Sequence, residues 1–158
     1  MYLNKKAILI AGLILAAAVI LSACGRSGSP KGSLSLSIGS IPEGDKAEWQ
    51  SQTPADGDHV EAGSEFDITW YMLNTGTTTW TTDYSMRYFA GTNLTKPGKT
   101  RFGVPKTTAP GETVGCYVDA VAPWEPGTYQ MFVVLSNAND ENFSKVDITI
   151  IVDETEEK

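Results

Sequence analysis

Histidine occurs once in the 158 residues, at His59, and cysteine twice, at Cys24 and Cys116. An imidazole-based triad would have to use His59, and no G-x-S-x-G elbow supplies a nucleophile for it. Neither a G-x-G-x-x-G run nor a phosphate-cradling P-loop is present. Basic side chains are also scarce: twelve Lys and Arg stand against nineteen Asp and Glu, a net charge of −7. A nucleic-acid binder would usually carry a basic face, so the charge argues against a nucleic-acid partner and none is expected. Charge alone would not hold such a chain to an anionic membrane. With the usual site patterns missing, the expectation is no enzyme activity, no cofactor and no metal.

What the chain does have begins with an address. "MYLNKK" is a short segment with Lys5 and Lys6, "AILIAGLILAAAVI" (Ala7 to Ile20) is an apolar run, and "LSAC" (Leu21 to Cys24) follows. A Lys pair, an apolar stretch and small residues describe a secretory signal. L-S-A-C resembles the lipobox of bacterial lipoproteins. That resemblance implies cleavage between Ala23 and Cys24, acylation of Cys24 and a lipid-held chain on the extracytoplasmic face of a bacterial cell membrane. The competing reading is an uncleaved anchor, since Ala7 to Ala23 reaches the short limit for crossing a bilayer. Cleavage would remove Lys5 and Lys6 and take the net charge to −9. Two or three acyl chains give the stable anchoring that one cannot. With Cys24 lipidated, Cys116 has no intrachain partner and is expected as a small buried hydrophobe.

Gly25 to Gly44 is rich in Gly and Ser and reads as a tether, spanning about 25 Å. Its "SLSLSI" alternates as a weak strand would. The expected organisation is signal 1–23, lipidated Cys24 and tether 24–44, one domain 45–153, and an acidic tail 154–158. Within the domain, period-two alternation is clear in "EFDITWYML", with Phe66, Ile68, Trp70 and Met72 on one face. Similar alternation places Tyr84, Met86 and Tyr88 together, then Val114, Cys116, Val118 and Ala120. Further on it groups Tyr129, Met131, Val133 and Leu135, and lastly Val146, Ile148, Ile150 and Val152. No 3.6-residue period follows Cys24. Turn signals such as Asn74-Thr75-Gly76, Lys96-Pro97-Gly98, Ala109-Pro110-Gly111 and Glu125-Pro126-Gly127 separate the runs. About seven short strands in this span predict an all-β, immunoglobulin-like sandwich.

Several of these segments also resemble, in order, the Nbr-type Ig-like domain of selective-autophagy receptors, also called the four-tryptophan or FW domain. The resemblance covers roughly Trp49 to Val152. It rests on Thr53, Pro54, Asp56 and Gly57; on Gly63 and Phe66; and on Trp70, Asn74, Gly76 and Trp80. "APGETV" and "APWEPGTYQMFVVL" continue it. Val133 stands where the family usually has a tryptophan, and Phe143-Ser144 where it has Phe-Gly. The resemblance implies a non-catalytic recognition module for a protein partner, without chemistry of its own.

Aromatic side chains are the candidate contacts. Trp70 lies on an alternating apolar face and is expected in the core. Trp80 ends "LNTGTTTW", where Asn74 and Gly76 suit a left-handed or turn conformation. It is expected to plug the sandwich end, with contact as the other reading. Trp124 lies between two prolines in "APWEPG" and is the better candidate for contact with a protein, or with a cell-wall or extracellular glycan. A third reading is a protease inhibitor similar to the chagasin family, from Asn74-Thr75-Gly76-Thr77-Thr78 together with Pro123-Trp124. Asp56-Gly57-Asp58-His59 and "NANDEN" (Asn137 to Asn142) are the nearest approaches to cation sites. A solvated turn and a hairpin tip explain them without a metal.

Overall fold

The alternating runs form strands because one face of each can be buried against a second sheet. A computed structural model of the chain describes residues 36–154. The expected signal 1–23, the cleavage pair Ala23 and Cys24, the tether as far as residue 35 and the tail beyond residue 154 lie outside the described residues. Eight strands follow in order: β1 (Ala47–Thr53), β2 (Asp58–Glu61), β3 (Glu65–Asn74), β4 (Ser85–Gly91), β5 (Arg101–Gly103), β6 (Thr113–Val121), β7 (Gly127–Ser136) and β8 (Asn142–Asp153). Among the described residues there is no helix. The described part of "SLSLSI", residues 36–38, forms no strand.

The strands make two sheets, ordered β1-β3-β6 and β2-β8-β7-β4-β5. All pairings are antiparallel except β2 with β8. The chain passes from the first sheet to the second after β1, through a cis Thr53–Pro54 peptide. This is the expected all-β, immunoglobulin-like sandwich, with eight strands where about seven were expected.

The predicted faces are the buried ones. Ile68, Trp70 and Met72 of β3, and Val114, Cys116, Val118 and Ala120 of β6, meet Met131, Val133 and Leu135 of β7 and Ile148 and Ile150 of β8 in one core. Trp70 is wholly buried, and its indole N–H donates to the Asp147 carbonyl of the opposite sheet at 3.2 Å. Cys116 is unpaired and buried, and burial pushes its thiol up to about 12. At neutral pH it stays protonated and inert as a nucleophile.

Candidate functional site

The two ends of β3 carry the two tryptophans singled out as candidate contacts. Ten residues of strand separate them, about 30 Å at the rise of an extended chain. Asn74 and Trp80 lie beyond its C-terminal end. Trp124 packs on Gly63, ahead of its N-terminal end.

At the Asn74 end the turn is closed by side chains. Asn74 is fully buried. Its amide donates to the carbonyls of Thr78 (2.9 Å) and Thr108 (3.0 Å), and its carbonyl oxygen accepts from Gly76 N–H at 3.0 Å. Neither Asn74 nor Gly76 has a positive φ, so the left-handed conformation is not used. Gly76 is required by proximity instead: a Cβ there would stand 2.2 Å from the Gly44 carbonyl oxygen. That carbonyl accepts from Thr77 N–H at 2.8 Å, which straps the end of the expected tether across the turn. The next residue, Asp45, is 4 % exposed. Its carboxylate accepts from Thr78 Oγ1, from Tyr84 OH at 2.9 Å and from Asn137 Nδ2 at 2.9 Å. Three neutral donors thus satisfy a buried carboxylate, which would otherwise be costly. Burial raises the Tyr84 phenol, with Thr78 opposing and Asp45 reinforcing the shift.

Trp80 sits beneath this network. It is 0 % exposed, bridges to Thr108, and packs its ring on Tyr84 and Phe143 at centroid distances of 6.5 and 5.6 Å. The plug is therefore complete, and Trp80 offers no surface to a ligand. Its contact reading is corrected by burial.

At the other end the chain leaves Trp124 76 % exposed. The turn that carries it is tied down by hydrogen bonds on either side of the ring. Pro123 O accepts from Gly63 N–H at 3.1 Å, Ala122 N–H donates to Ser64 O at 2.9 Å, and Tyr129 OH donates to Glu125 O at 2.7 Å. The indole lies on Gly63: a Cβ there would meet the ring at 2.5 Å. With φ at +69°, Gly63 also holds a backbone conformation that glycine tolerates best. A large aromatic is thus presented with little freedom left to lose on binding. Because Trp124 and the Asn74–Thr78 turn occupy opposite ends, they cannot enter one protease cleft together, and the chagasin-like reading loses its geometric basis.

The two candidate cation clusters are occupied with their own turns. Asp58 Oδ2 accepts from Ala55 N–H, Asp56 Oδ1 accepts from Gln52 Nε2 and Thr149 N–H, and His59 Nδ1 lies 2.7 Å from Asp153 Oδ1. In the 137–142 tip, the Asn137 carbonyl oxygen accepts from the N–H groups of Asn139 and Glu141. Among the described residues no group of three His, Cys, Asp or Glu side chains is placed to hold a metal ion.

Sequence reasoning left Trp49 without a role. It lies on β1, 49 % exposed, and borders a cleft between β1 and the Lys145–Asp147 stretch of β8. The residues that face it are about a hundred positions away in the chain, so local pattern carried no signal of the cleft.

The family match agrees with this architecture. Residues 53–153 match the model of the family described as the Ig-like domain from next to BRCA1 gene. The chain belongs to that family. Over 99 residues it is 33% identical to the Next to BRCA1 gene 1 protein of Mus musculus and 31% identical to that of Rattus norvegicus. Each alignment covers 62% of this chain and 10% of the relative, so the chain spans about a tenth of the length of these curated relatives. Among solved structures, a FixG-related protein from Vibrio parahaemolyticus is similar at a TM-score of 0.41 and 14% identity, over 70% of this chain and 98% of that one.

Proposed function

We propose that this member of the Ig-like domain family is a non-catalytic lipoprotein that recognises a protein partner from the extracytoplasmic face of a bacterial membrane. Acylated Cys24 anchors the chain, and the Gly25 to Gly44 segment lifts the domain from the lipid. The observation that carries the recognition reading is Trp124: 76 % exposed, yet seated on Gly63 in a turn pinned by three hydrogen bonds. Rigid, exposed aromatics in loops are the usual anchors of protein contacts. A non-catalytic role is supported by Cys116, whose thiol is buried and held protonated.

Two experiments test the proposal. Metabolic palmitate labelling should mark the wild-type chain and not Cys24→Ala; equal labelling of both would remove the lipid anchor. The full chain, solubilised and immobilised, should retain a surface protein that Trp124→Ala releases at least about tenfold more readily. Retention that is indifferent to Trp124 would contradict the proposed contact.

A further inference from the structure

The side of the sandwich where β1 faces β8 carries a second surface, separate from the Trp124 end. Two hollows of about 260 and 220 Å³ adjoin there, and Trp49, Gln52 and Asp56 border both. Lys145, Val146 and Asp147 of β8 complete the first, Ser51 and Ala55 the second. The side chains between them form one hydrogen-bonded chain. Trp49 Nε1–H donates to Gln52 Oε1 at 3.1 Å, Gln52 Nε2 donates to Asp56 Oδ1 at 2.9 Å, and Thr149 N–H of β8 donates to the same oxygen at 2.9 Å. The indole is thereby fixed to the opposite sheet through three links, the kind of support a preorganised binding site requires.

The geometry points to a saccharide site, with Trp49 as the platform for the apolar face of a neutral pyranose and Gln52 and Asp56 as hydrogen-bonding partners of its hydroxyls. Each hollow is small, suited to one ring rather than to a folded partner. The polar complement is mixed: a carboxylate with Oδ2 left as an acceptor, an amide with a second N–H, and the Ser51 hydroxyl. Vicinal hydroxyls donate and accept at once, and this set answers both. A cationic side chain would find the ring attractive. An arginine-rich peptide is therefore the competing ligand.

The test uses the full-length chain in a zwitterionic micelle, whose headgroup carries no sugar. Short neutral oligomers of β-1,4-glucose, α-1,4-glucose and β-1,4-N-acetylglucosamine are titrated while the indole N–H resonances of the four tryptophans are followed. Trp49→Phe identifies the Trp49 resonance by its loss. The expected result is that at least one oligomer moves that resonance saturably. In calorimetric titration of the same oligomer, Trp49→Ala should weaken its binding about tenfold or more, Trp49→Phe less, and Trp124→Ala not at all. That pattern separates this site from the protein contact proposed above. Three results would overturn the inference: no oligomer shifts the Trp49 resonance; calorimetric titration gives Trp49→Ala and wild type the same affinity; or an arginine-rich peptide, and no saccharide, shifts the Trp49 resonance.

Discussion

Trp80 and Trp124 both follow Gly- or Pro-rich turns, at opposite ends of the same strand, and they have opposite fates. At the Trp80 end the chain supplies a lid. Gly76 leaves room for the Gly44 carbonyl to close over the turn, and Asp45 arrives with it to gather Thr78, Tyr84 and Asn137. At the Trp124 end no described segment closes over the ring, and the indole rests on the bare Cα of Gly63. The lesson is that a tryptophan after a turn becomes core or surface according to whether another segment of chain crosses above it.

That contrast can be broken by substitution. The largest effect is expected from Trp80→Ala, which empties a wholly buried ring site and should cost about 3–5 kcal/mol in urea unfolding. Asp45→Ala leaves the buried Tyr84 hydroxyl without its acceptor and takes one of two acceptors from Thr78 and from Asn137, and should cost about 1–3 kcal/mol by the same measurement. Gly76→Ala forces a methyl against the Gly44 carbonyl and should cost about 1–3 kcal/mol, with loss of protection at the Thr77 and Thr78 amides in hydrogen exchange.

Alkaline pH sharpens the comparison from the core side. The folded Cys116 thiol is raised to about 12 from an ordinary value of 9.0. The unfolded chain releases this proton first, so stability is intact below about 9 and falls as pH rises towards 12. Cys116→Ala should flatten that fall; an unchanged slope in denaturation between pH 8 and pH 11 would show that the thiol does not contribute.

How much of this was legible in sequence depended on whether the decisive partner was local. Ile68, Trp70 and Met72 declare their face by alternation within one strand, and the core follows. Three strands carried weaker signals. β1, "AEWQSQT", is an edge strand exposed along most of its length, β2 is "DHVE", and β5 has three residues. None shows an apolar alternation long enough to read. Asp45 looked like a domain boundary, because its partner Asn137 is 92 residues away. The Trp49 cleft was invisible for the same reason, being assembled from strands of two different sheets. Trp124 was readable because its exposure follows from local chemistry, flanking prolines that keep it out of a strand.

The most direct measurement pairs binding with stability on one variant, Trp124→Ala. The account predicts that its unfolding free energy stays within about 0.5 kcal/mol of wild type while retention of the surface protein falls about tenfold or more. A loss of about 2 kcal/mol or more in stability, or undiminished retention, would contradict it.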